Sequence, residues 1–107
     1  MGEYMQNKVK EFNDNRGVHT KAMPVSARIM DIDSELGELA KEYLKCTKYG
    51  TRDFQTSDDF IMEYGDVLYS ILSLANELNI DSNKAIDMVL EKYNNRINNK
   101  KDMGSGR

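Results

Sequence analysis

The chain has one cysteine, one proline and no tryptophan in 107 residues. A lone cysteine, Cys46, excludes an internal disulfide and offers no cysteine cluster for zinc; it is expected to serve packing and accords with a reducing compartment. Positive charge is not in excess either: 15 Lys and Arg stand against 18 Asp and Glu, for a formal net charge of -3. That balance leaves no basic footprint for a nucleic-acid polymer. No apolar run approaches the roughly 20 residues a membrane-spanning helix needs. The polar, mixed-charge segment Met1 to Arg16 reads as neither a secretory signal nor an anchor. Strand-type alternation is missing too. The expectation is a single soluble, cytoplasmic domain over residues 1–107, with no membrane partner.

What is present is helix-forming sequence, rich in Leu, Glu, Lys, Met, Ile and Ala. A first helix is expected over about Tyr4 to Asn13, with Val9 and Phe12 as its buried contacts. A second begins near Pro24, which suits a first helical position, and runs to about Cys46. Val25, Ile29, Ile32, Leu36, Leu39, Ala40 and Tyr43 share one arc of it. Residues Thr47 to Thr56 lose periodicity and form a connection marked by Tyr49-Gly50. Ser57 is the expected N-cap of a third helix ending near Leu78, with Asp58 and Asp59 in its first turn. Its apolar arc, from Phe60 to Leu78, is too wide for one partner. A fourth helix follows Asn79-Ile80, capped by Asp81 or Ser82, and ends near Asn99 or Lys100. The polar, glycine-rich stretch 101–107 is a tail. Met30, Met62 and Met88 are expected to fill the core.

Acidic residues break the pattern. Asp31, Glu35, Glu38 and Glu42 run along one edge of the second helix, with Arg28 and Lys45 only at the two ends of the ridge. A solvated face usually interleaves cations to relieve like-charge repulsion. Glu35-Leu36-Gly37-Glu38 and Glu63-Tyr64-Gly65-Asp66 each place two carboxylates one helical turn apart, about 4.5 Å along the axis. Either pair alone is commonplace on a helix surface. Two pairs, both at the margin of an apolar stripe and on helices joined as antiparallel neighbours, are not. Four carboxylates without counter-charge would repel, and a divalent cation removes the conflict. A hard, oxygen-only pocket suits Mg²⁺, with Mn²⁺ as a substitute, better than Zn²⁺. Gly37 and Gly65 are expected to leave room beside the ion.

These residues resemble the motif of the MazG-like, all-α nucleoside triphosphate pyrophosphohydrolases, ExxE followed after a gap by ExxD. The likeness extends through Ser34-Glu35-Leu36-Gly37-Glu38-Leu39-Ala40-Lys41-Glu42 and Glu63-Tyr64-Gly65-Asp66-Val67-Leu68-Tyr69, within a motif region of about 24–100. It implies a helical bundle of four to five helices whose core is completed by homodimerisation, or by a tetramer of dimers. It also implies Mg²⁺-dependent cleavage between the α and β phosphates of a nucleoside triphosphate, releasing a monophosphate and pyrophosphate, in nucleotide-pool sanitation or control. Glu35, Glu38, Glu63 and Asp66 would hold the metal, and Glu38 or Glu35 would accept the proton of the attacking water. Relatives carry Lys or Asn and Arg on the last helix; Lys92, Asn95 and Arg96 are the local candidates for substrate contact, against the plain reading of a solvated basic helix end. Lys100, Lys101 and Arg107 in the tail, Lys48 and Arg52 in the connection, and His19 before the second helix are weaker candidates. With no tryptophan to stack on a base, Tyr49 or Phe54 is the substitute. Two rivals stand beside this reading. One is an enzyme like phosphoribosyl-ATP pyrophosphohydrolase, and the other a non-catalytic helical interaction module.

Overall fold

A computed structural model describes residues 2–17 and 24–99 of the chain. His19 and the tail residues Lys100, Lys101 and Arg107 lie outside the described residues. The described residues form four helices and no strand: α1 (Gly2–Arg16), α2 (Val25–Cys46), α3 (Asp58–Leu78) and α4 (Ser82–Asn99). None of them is long and apolar enough to cross a membrane.

The helix ends follow from local chemistry. Pro24 sits just outside α2, with its carbonyl accepting from the Arg28 amide at 3.1 Å. The Ser57 hydroxyl accepts from the Phe60 amide at 3.0 Å and caps α3, with Asp58 and Asp59 in the first turn as expected. At the other end Asn79 turns left-handed, φ 56°, and the Ile80 amide reaches back to the Ala75 carbonyl at 2.8 Å, closing the helix. The Asp81 carboxylate then accepts from the amides of Asn83 and Lys84 at 3.0 and 3.2 Å and starts α4.

The first helix is longer than its sequence promised. Asn13-Asp14-Asn15 are poor helix formers, yet the helix continues to Arg16 and stops at Gly17, φ 67°. Tertiary bonds supply the reason. Asn13 is 2% exposed; its amide donates to the Ser73 hydroxyl at 3.1 Å, and its carbonyl oxygen accepts from the Tyr69 hydroxyl at 2.5 Å. Phe12, expected inside, is 48% exposed, edge-on to Tyr69 with ring centroids 6.3 Å apart.

The α2/α3 hairpin is the best-packed pair, α1 lies along α3, and α4 leans chiefly on α1. Gln6 ties that last corner: its side chain donates to the Ile80 carbonyl at 2.6 Å and accepts from the Ser82 amide at 3.0 Å. Because α4 stands away from the hairpin, few apolar groups are covered. Among the described residues only Cys46, Leu72 and Ala75 are fully buried hydrophobics. Met30, Met62 and Met88, which stand off the apolar arcs of their helices, are exposed rather than core filling, at 71%, 67% and 65%.

Candidate metal centre

Antiparallel packing of α2 on α3 creates a polar seam. Stepping along α2 by three or four residues gives Arg28, Asp31 and Glu35; the same steps along α3 give Glu63, Asp66, Ser70, Ser73 and Glu77. Matched head to tail, these rows put Arg28 against Glu77, the Ser70 hydroxyl 3.3 Å from the Asp31 carboxylate, and Glu35 beside Glu63 and Asp66.

One carboxylate oxygen from each of Glu35, Glu63 and Asp66 lies within 4.8 Å of the others. Glu35 and Glu63 are partly buried, and Asp66 is exposed. None of the three has a Lys or Arg ion-pair partner among the described residues. The electrostatic cost shows at Glu35 and Glu63. Desolvation, followed by the charges of Asp66, Asp31, Glu63 and Glu38, holds the Glu35 carboxyl above the ordinary glutamate value. Desolvation, followed by Asp66, Glu38, Glu42 and Asp59, raises Glu63 in the same way. A divalent cation is the simplest relief. Three hard oxygen donors this close together are a set that a divalent cation could share.

Glu38, the fourth carboxylate of the two pairs, lies outside this trio. It is exposed, close enough to Glu63 and Glu35 to act on both, and without an ion pair among the described residues. Gly37 and Gly65 are not required by crowding within the chain: a Cβ on either would meet no heavy atom within 4 Å.

One helical turn beyond Glu38 and Glu63, towards the loop, opens a cleft of about 290 Å³ whose lining includes Glu42, Lys45, Arg52, Gln55, Thr56 and Asp59 but none of the trio. The loop is held by Thr47, whose hydroxyl accepts from the Gly50 amide at 3.0 Å, and by Arg52, whose Nε donates to the Cys46 carbonyl at 3.2 Å. Cys46 packs as expected, buried with its sulfur 3.4 Å from the Ser57 hydroxyl. Of the two aromatic residues considered for base stacking, Phe54 is already occupied: its ring stacks on Tyr43 and meets Phe60 edge-on, each centroid 5.1 Å away. Tyr49 is exposed, as is Lys48 beside it, and both have left-handed backbones with φ 58° and 51°.

Lys92, Asn95 and Arg96 lie on α4, away from the α2/α3 seam. Lys92 and Arg96 flank the Tyr93 ring, 5.5 and 5.9 Å from its centroid, and neither is ion-paired with the trio. The Arg28–Glu77 pair and the Asn13–Tyr69–Ser73 network escape sequence reasoning. Counting outward along both helices from Glu35 and Asp66 would have found the first.

Comparison with known proteins places these residues in context. The profile of the MazG nucleotide pyrophosphohydrolase domain matches residues 26–100. A Bacillus subtilis (strain 168) protein, "Uncharacterized protein YpjD", is 41% identical over an alignment of 73 residues that covers 65% of this chain and 64% of that protein. The chain thus spans somewhat less than two thirds of that relative's length. No solved structure matches the chain. With both acidic pairs and the hairpin that carries them inside the matched region, the chain belongs to the MazG nucleotide pyrophosphohydrolase domain family.

Proposed function

We propose that the protein is a Mg²⁺-dependent nucleoside triphosphate pyrophosphohydrolase, cleaving the α–β phosphoanhydride of ribo- or deoxynucleotides to a monophosphate and pyrophosphate. The observation that carries this reading is the set of three carboxylates from two helices, gathered within 4.8 Å with no cationic ion-pair partner among the described residues. Glu35, Glu63 and Asp66 would hold the ion. A bound divalent ion neutralises phosphate oxygens, stabilises charge on the departing pyrophosphate and lowers the pKa of a coordinated water. Glu38 stands next to the trio without belonging to it, and is assigned the proton of the attacking water. The cleft lined by Glu42, Lys45, Arg52 and Asp59, one helical turn beyond Glu38 and Glu63, is the proposed space for part of the nucleotide. Lys92, Asn95 and Arg96 are assigned to substrate contact from α4, which requires that helix to approach a seam from which it stands apart within one protomer.

A second copy of the chain is the proposed partner. Support comes from the small buried core and from an apolar groove of about 500 Å³ between α3 and α4, lined among others by Leu68, Ile71, Leu72, Ala85, Ile86 and Val89. A homodimer, alone or paired into a tetramer, would cover it. Light scattering on the eluting protein should give twice or four times the 12.3 kDa chain mass; a monomer at micromolar concentration refutes it. The same reading places the protein in the cytoplasm, where free nucleoside triphosphates reside.

The testing experiment is a panel of nucleotides in Mg²⁺ or chelator, with pyrophosphate and monophosphate quantified and the reaction run in H₂¹⁸O. Expected are equal amounts of both products, dependence on Mg²⁺, and ¹⁸O in one product only. Preferential turnover of phosphoribosyl-ATP moves the assignment to that enzyme class. No turnover of any nucleotide leaves the helical interaction module.

A further inference from the structure

At the open end of the α2/α3 hairpin sits an ion pair that the chemistry above does not use. Arg28, in the first turn of α2, places Nη2 and Nε 2.5 and 3.1 Å from one carboxylate oxygen of Glu77, in the last turn of α3. Both side chains are largely buried, with 7% and 18% of their surface exposed. Stability is a weak reason for such a pair: desolvating two ions offsets most of their attraction, and apolar residues of similar size commonly serve as well or better. The best-attested use of a buried polar pair is to fix how helices align.

Alignment is what this hairpin needs. Glu35 comes from α2 while Glu63 and Asp66 come from α3, so the two helices must hold their relative placement for three oxygens to share one ion. Fully buried apolar contacts leave room for the helices to shift, because Cys46 of α2 and Leu72 and Ala75 of α3 are the only fully buried hydrophobics among the described residues. The loop end is gripped by the Tyr43–Phe54–Phe60 ring contacts. The open end is gripped by Arg28–Glu77. The trio lies between the two, and the Ser70–Asp31 hydrogen bond lies between the trio and the ion pair.

We propose that Arg28 and Glu77 are positioning residues for the divalent cation: their buried pair clamps the open end of the α2/α3 hairpin so that Glu35 stays aligned with Glu63 and Asp66. The inference rests on the metal reading above. Removing one partner alone would strand a buried charge and confound the result. The informative variants keep the site neutral or paired: the apolar double variant Arg28→Met with Glu77→Leu, the charge-swapped double variant Arg28→Glu with Glu77→Arg, and the shortened Glu77→Asp.

Three readouts separate alignment from bulk stability. They are thermal unfolding in chelator, Mn²⁺ affinity by calorimetry, and the distance distribution between spin labels at the exposed positions Ser26 and Met62, with Cys46→Ser in every chain. The clamp predicts that the apolar pair unfolds at or above the parent temperature and has a broadened distance distribution. It also predicts Mn²⁺ binding weaker by about 10–100-fold, the range found when residues that orient metal ligands are lost. The charge swap should restore a narrow distribution and tight binding. Glu77→Asp should weaken binding in a chain that still folds, which keeps the test decisive should the apolar pair fail to fold. An unchanged distribution and parent-like Mn²⁺ affinity in the apolar pair and Glu77→Asp overturn the clamp. Absence of Mn²⁺ binding by the parent overturns the cation site, a separate failure that the label distances identify as such.

Discussion

Asn13 joins α1 to the hairpin, and its removal has a calculable effect. It is 2% exposed and uses its side-chain amide on Ser73, itself 1% exposed, and its carbonyl oxygen on the partly buried Tyr69 hydroxyl. Asn13→Ala removes two hydrogen bonds, each worth about 1 kcal/mol net, and strands Tyr69, whose unpaired hydroxyl adds about 1–3 kcal/mol to the extent that water is kept out. Ser73 escapes part of this, since a helical serine can turn its hydroxyl to the carbonyl four residues back. The total loss is about 2–5 kcal/mol, a large share of the stability of a domain this size. Urea unfolding followed by circular dichroism at 222 nm measures it. Tyr69→Phe closes a double-mutant cycle: it leaves the Asn13 oxygen unpaired and should cost about 1–3 kcal/mol alone, but far less in the Asn13→Ala background. A loss below about 0.5 kcal/mol for Asn13→Ala, or strict additivity of the two changes, would show that the network contributes nothing and that α1 is held by other contacts.

Other outcomes follow from the same structure. Glu38→Gln should leave Mn²⁺ affinity near that of the parent while lowering kcat by about 10²–10⁴-fold, whereas Asp66→Asn or Glu35→Gln should lose the ion itself; calorimetry beside the pyrophosphate assay separates the two roles. Desolvation and neighbouring carboxylates raise the folded-state pKa of Glu35 and Glu63, so the folded chain holds protons that the unfolded chain releases. Metal-free stability should therefore fall as pH rises from the ordinary glutamate value through the raised ones, and saturating Mg²⁺ should flatten or reverse that slope in thermal melts. Gly37→Ala and Gly65→Ala should each stabilise the metal-free protein by up to about 1 kcal/mol, since each is mid-helix with open space around it. If that space receives substrate or a second chain, turnover drops although the fold is firmer, and a destabilised Gly37→Ala would show an unseen contact.

The hairpin and its acidic pairs were legible in the sequence because they rest on local chemistry. Helical periodicity sets α2 and α3, Ser57 announces the cap of α3 and Asp81 that of α4, and carboxylates one turn apart must share a face. What the sequence hid depends on residues far apart along the chain. Asn13 extends α1 through partners 56 and 60 residues away, and Arg28 looked like the end of an acidic ridge until Glu77 was placed opposite. Periodicity marks an apolar face without telling whether its own chain covers it, which is why Ile29, Leu36 and Ile86 lie exposed; Met30, Met62 and Met88 are exposed because they stand off the apolar arcs of their helices. Likewise, which three of four carboxylates meet is decided by how α2 crosses α3, and spacing alone treats Glu38 as the equal of Glu35.

The central claim is that Glu35, Glu63 and Asp66 share one divalent cation. Anomalous diffraction from a crystal soaked in Mn²⁺ tests it most directly. The account predicts a Mn²⁺ peak bounded by those three carboxylates and absent from an Asp66→Asn crystal. A peak elsewhere, or none at millimolar Mn²⁺ with the three side chains ordered, contradicts it.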